Sequence, residues 1–127
     1  MRIAAAHKVP LTCYNLIREY EKEQVVFITV AGRSNALSGF TDAQTCCPVI
    51  ACPPYSDRFG GGDIFSSLRM PSAGAPMTVL EPANAALAAA KIIGLADENV
   101  REKITLFQNA AREALERDDQ EVLNGQC

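Results

Sequence analysis

The chain has 127 residues, 48% of them apolar and 21% charged, with a formal net charge of −3. This length supports one domain with a real core, and the composition is that of an ordinary globular protein. The acidic balance and the lack of a basic stripe argue against a nucleic-acid partner. No apolar run reaches the roughly 18 residues of a membrane span, and no signal-peptide pattern opens the chain, so the expected compartment is the cytoplasm.

Residues 2–6, RIAAA, are a short apolar run, expected to be the end of a strand. Pro10 suits the first turn of a helix. Residues 11–23 continue it, with Leu16, Ile17 and Tyr20 at helical spacing and Arg18, Glu19, Glu21, Lys22 and Glu23 outside. Residues 25–31 are a second strand, apolar almost throughout, as expected where helices cover both faces of a parallel sheet.

The segment FITVAGRSNALS, residues 27–38, is the most informative of the chain. A β-branched strand stops at Gly32, and a helix follows at once over residues 35–44. In open α/β sheets such junctions lie at the carboxyl ends of the strands, where ligands bind. Free N–H groups there attract anions, and Ser34 or Asn35 would serve as N-cap. Many such junctions are only folding units.

Residues 48–51 are a third strand, ended by Cys52-Pro53-Pro54. Residues 55–62 are polar and glycine-rich and read as a mobile loop. Gly60-Gly61-Gly62-Asp63 lacks the spacing and the strand-before, helix-after context of a phosphate fingerprint. Residues 64–70 are a short helix stopped by Pro71, and residues 76–80 a fourth strand. Residues 81–94 are alanine-rich and helical, with Gly94 as the stop. Residues 97–123 are a long amphipathic helix, with Val100, Ile104, Phe107, Ala111 and Leu115 along one face. Alternating strands and helices predict a parallel α/β sheet. The expected organisation is a single domain over 1–127, an α/β core over 1–96 followed by a C-terminal helix over 97–123.

The five cysteines are Cys13, Cys46, Cys47, Cys52 and Cys127. Their number is odd, there is no CxxC, and His7 is the sole histidine. Zinc sites want paired spacings with supporting ligands. The expectation is free thiols and no metal.

Several blocks resemble one family: Ala6-His7-Lys8, then residues 31–37 (AGRSNAL), then Cys52-Pro53-Pro54, then Asp63 with residues 66–71 (SSLRMP), then residues 78–82 (TVLEP) leading into the alanine-rich helix. In that order they resemble the PurE family, specifically its class II members, the aminoimidazole ribonucleotide (AIR) carboxylases. The likeness runs from about residue 2 to residue 94. AHK followed by AGRSNAL separates class II from class I.

The resemblance implies a flavodoxin-like, three-layer αβα fold with a parallel sheet. It implies a carbon–carbon lyase of purine biosynthesis that joins CO2 reversibly to C4 of AIR, giving the carboxylated nucleotide CAIR, without cofactor or metal. The family assembles as a homo-octamer. The chemistry needs few groups. C4 of the electron-rich ring attacks CO2, and the resulting sp3 centre must lose a proton that reversal returns. An imidazole can do both. His7 matches the catalytic histidine; taken alone, a lone histidine near a strand end is more often structural. Lys8, Ser34 and Ala36 match positions around CO2 or the carboxylate, whose charge an ammonium and turn amides stabilise, and Ala6 is a further substrate-binding position. Lys8 otherwise reads as a solvated charge and Ser34 as a cap. Gly32, Arg33 and Asn35 belong to the same substrate loop. Asp63, Ser66, Ser67 and Arg69 match a block read as loop support and subunit contact.

Two departures stand out. The family's first strand and its glycine-serine-aspartate turn, which grips the ribose phosphate, have no counterpart ahead of AHK. The family's serine two residues before the histidine, another phosphate contact, is Ala5 here. The expected consequences are a weakened phosphate end and a gap in the sheet beside residues 25–31. Either residues 2–6 move inward to pair with that strand, or a second subunit covers its edge. The alternatives to an active carboxylase are a non-catalytic relative serving as a scaffold and an unrelated flavodoxin-like binding module.

Overall fold

The structure, a computed structural model, describes residues 1–125, so Cys127 lies outside the described residues. The elements in chain order are α1 (Pro10–Tyr20), β1 (Phe27–Thr29), α2 (Ala36–Asp42), β2 (Val49–Ala51), α3 (Phe65–Leu68), β3 (Met77–Thr78), α4 (Pro82–Ile93) and α5 (Glu98–Leu123).

Pro10 opens α1, where its missing N–H leaves no bond unmade. One face of α1 buries Cys13 and Ile17. On its outer face Arg18 pairs with Glu21 and lies over the Tyr14 ring, 6.0 Å from the centroid.

The three strands form one parallel sheet in the order β1-β2-β3. Phe27 is in register with Val49 and Thr29 with Ala51, while Ala51 also faces Thr78. β2 is the central strand, and Val49, Ile50 and Ala51 are at most 1% exposed. Its unbroken apolar run is what a strand covered on both faces requires.

The sheet corrects one expectation. Residues 2–6 form no strand and do not pair with β1. Among the described residues no strand pairs with the outer edge of β1, and Ile28 and Val30 are exposed beside it. Between this edge, residues 1–4 and α1 runs an open groove of about 590 Å³, lined by Ile3, Cys13, Ile17, Val26, Ile28 and Val30 among others. A run of three alanines buries too little apolar surface to hold itself in a ladder.

Residues 58–64 have more local structure than a plain loop. They form a 3₁₀ turn broken by three consecutive left-handed residues, Phe59 (φ 52°), Gly60 (φ 61°) and Gly61 (φ 81°). Two of these are glycines, which accept that conformation without a Cβ clash. The turn delivers Asp63 and leads into α3.

The chain packs as two compact units, residues 1–89 and the remainder from Ala90 onward. The first holds the sheet. In the second, Gly94 ends α4, and Asp97 caps α5 by accepting the Val100 N–H at 3.1 Å. Arg101 bonds the carbonyls of Gly94 and Leu95 at 3.0 and 3.2 Å, satisfying the orphan acceptors of the preceding helix end. Among the described residues no helix is long and apolar enough to cross a membrane.

Candidate active site

The junction after β1 forms as the sequence predicts, and the structure decides which residue caps α2. Asn35 does so: its Oδ1 accepts the Ser38 N–H at 3.1 Å and the Ser38 hydroxyl at 2.9 Å. Its Nδ2 donates to Ser67 Oγ at 2.9 Å. Asn35 is buried, and these protein partners occupy its side chain. Ser34, the other candidate, is exposed, and its carbonyl accepts the Ala36 N–H at 2.9 Å.

Below the cap lies a buried hydroxyl pair. Thr29 Oγ1 and Ser38 Oγ are 2.7 Å apart, and Thr29 also donates to the Ile50 carbonyl at 3.3 Å. These bonds fasten the start of α2 to β1 and β2. Reading residues 25–31 as an apolar strand missed them.

Arg33 sits at φ 57°, a left-handed conformation that a side chain tolerates only when its surroundings hold it. The segment before α3 does the holding. Asp63 Oδ2 accepts the Arg33 N–H at 3.4 Å. Ser66 Oγ bonds the carbonyls of Arg33 (2.5 Å) and Asp63 (2.9 Å) and accepts the Asn35 N–H at 3.0 Å. The expected supporting role of Asp63, Ser66 and Ser67 is thus visible as direct bonds. Gly32 lies against Pro54: a Cβ there would meet Pro54 Cγ at 3.3 Å.

His7 and Lys8 lie in the turn between residue 5 and α1, where the Ala5 carbonyl accepts the N–H groups of Lys8 (3.2 Å) and Val9 (2.9 Å). Both are exposed and Ala6 is half-buried. Among the described residues neither the His7 nor the Lys8 side chain hydrogen-bonds to residues 32–36. Ala36 is exposed at the first position of α2.

Gly32 and Arg33 enter a cavity of about 370 Å³, walled also by Pro54, Tyr55, Asp57, Asp63 and Glu81. Of the predicted site residues, these two alone line it. Tyr55, Asp57 and Glu81 were missed as wall residues. The signal existed, since they follow the ends of β2 and β3, where ligands of such sheets bind. Burial, and next the Glu81 charge, raise the Cys52 thiol pKa, and burial raises that of Cys13. Among the described residues the thiols are unpaired, and no three His, Cys, Asp or Glu side chains cluster as metal donors.

A parallel α/β sheet with its candidate site at the carboxyl ends of the strands defines a flavodoxin-like protein. The chain belongs to the AIR carboxylase family, whose model matches residues 1–114. It is 65% identical over 122 residues to a phosphoribosylaminoimidazole carboxylase of Archaeoglobus fulgidus, covering 96% of this chain and 68% of that protein. It is 44% identical to the phosphoribosylaminoimidazole carboxylase of Treponema denticola, covering 96% of this chain and 78% of that one. The crystal structure of Treponema denticola PurE superimposes with a TM-score of 0.90 at 45% identity, covering 94% of this chain and 77% of that one. A human bifunctional carboxylase and synthetase is 42% identical over 106 residues, a quarter of its own length (25%).

Proposed function

We propose that the chain is an AIR carboxylase, a carbon–carbon lyase that adds CO2 reversibly to C4 of aminoimidazole ribonucleotide. The observation that carries this is the 65% identity to a phosphoribosylaminoimidazole carboxylase across 96% of the chain, with Ala6-His7-Lys8 and residues 31–37 both present.

In this reading His7 takes the proton from C4 after CO2 has added, and returns it in the reverse direction. Its place in an exposed turn leaves the ring open to a ligand. Lys8 supplies positive charge to the developing carboxylate, and Ser34 with the loop amides supplies hydrogen bonds. Ala6 and Ala36 bound the CO2 space with small side chains. Gly32 and Arg33 form the wall shared with the cavity. The partners are AIR and CO2, the working form is a homo-oligomer, and the compartment is the cytoplasm.

The test is decarboxylation of CAIR followed by absorbance, with His7→Asn as control. Activity lost in the variant supports the proposal. A folded chain no more active than His7→Asn overturns it.

A further inference from the structure

Ser34 owes its conformation to a residue 32 positions away. Ser66 Oγ bonds the carbonyl of the peptide before Ser34, at Arg33, and the N–H of the peptide after it, at Asn35. One hydroxyl thus fixes both peptide planes that flank Ser34, and with them its two backbone dihedrals. The peptide linking Arg33 to Ser34 is trans, so its N–H lies opposite the carbonyl that Ser66 holds. The Ser34 N–H therefore faces away from Ser66, and among the described residues it has no protein acceptor. The neighbouring Ser67 hydroxyl accepts from the Asn35 side chain, so two adjacent serines of α3 hold Asn35 by its backbone and its side chain. Asp63 Oδ2 accepts the Arg33 N–H at 3.4 Å.

We infer that Ser66 is a positioning residue for the carboxylation, acting through Ser34, and that the Asn35 side chain serves the same clamp instead of contacting substrate. The inference rests on the proposed carboxylase reading. Ser66 presents the Ser34 N–H and hydroxyl together to the substrate carboxylate. Small displacements of such groups are costly: a misplacement of about 1 Å lowers rate by on the order of 10².

The experiment compares the full chain with Ser66→Ala and Ser66→Thr, measuring CAIR decarboxylation and amide hydrogen exchange. Ser66→Ala is expected to lower kcat at least about tenfold, with a smaller change in KM. Ser66→Thr, which keeps the hydroxyl, restores most of it. In Ser66→Ala the Asn35 amide exchanges at least about tenfold faster, while the Cys52 amide, bonded to the Thr29 carbonyl at 2.8 Å, is unchanged. An unaltered kcat, or equal acceleration at Asn35 and Cys52, overturns the inference. A wild-type chain without decarboxylase activity defeats the carboxylase reading instead, and the exchange comparison then decides by itself whether Ser66 clamps the loop.

Discussion

Thr29 and Ser38 meet hydroxyl to hydroxyl at 2.7 Å, nine residues apart in sequence, at 7% and 0% exposure. The pair ties the end of β1 to the first turn of α2, so the loop between them is anchored at both ends. Ser38 reaches on to Asn35, and Asn35 to Ser67. The result is a chain of buried polar groups running behind the loop that joins β1 to α2.

Breaking one link removes a bond from each partner. Ser38→Ala takes one bond each from Thr29 Oγ1, which keeps the Ile50 carbonyl, and from Asn35 Oδ1, which keeps the backbone N–H of residue 38, and is expected to destabilise the chain by about 1 kcal/mol. Thr29→Val alone costs less, because Ser38 keeps its bond to Asn35. The double variant should be less destabilised than the sum of the two, since the pair is lost only once. Urea unfolding of the four chains checks this.

In the proposed carboxylase reading, Ala5 stands at a position where a serine would help hold the substrate phosphate. Ala5→Ser is expected to lower KM for CAIR by about tenfold, the value of one charge-assisted hydrogen bond. Its effect on kcat should be smaller. Steady-state kinetics on the variant decide the matter.

Gly94 is closed in by its neighbours. A Cβ there would lie 3.2 Å from the Ala90 carbonyl and 3.4 Å from Ile104 Cδ1. Gly94→Ala is expected to cost about 1–2 kcal/mol by overpacking, although alanine favours helix elsewhere. Chemical denaturation followed by circular dichroism measures it.

The two buried thiols give a pH dependence of known sign. Their pKa values are raised above the usual 9.0 in the folded chain. As pH rises through the ordinary thiol range, the unfolded chain releases these protons while the folded one retains them. Stability is therefore full below that range and declines as pH climbs through it towards the raised folded values. The variant with Cys13→Ala and Cys52→Ala should show a shallower decline, read from urea midpoints across alkaline pH. Among the thiols of the described residues, exposed Cys46 should react first with iodoacetamide.

Most elements were legible because periodicity reports burial. Residues 48–51 are uniformly apolar and became the central strand β2, and the spacing of Leu16, Ile17 and Tyr20 marked α1. The strand–turn–helix junction was legible too, from Gly32 and the capping residues after it. What escaped depends on contacts distant in sequence. Nothing near Asn35 announces that Ser67 will occupy its amide, so cap and ligand contact could not be told apart there. Residues 2–6 looked like a strand by composition, but a strand also needs a neighbour, and that is a property of the assembled sheet. The cavity wall was partly hidden for a similar reason: Tyr55, Asp57 and Glu81 come together only when β2 and β3 lie side by side.

The bare edge of β1 has a thermodynamic consequence. Val26, Ile28 and Val30 carry backbone groups on that side that no strand among the described residues receives. Any molecule that pairs with them binds the folded form alone, so folding becomes coupled to mass action. The melting temperature of this chain is then a function of how much of it, or of a strand-donating partner, is in the tube. Its stability belongs to the solution as much as to the molecule.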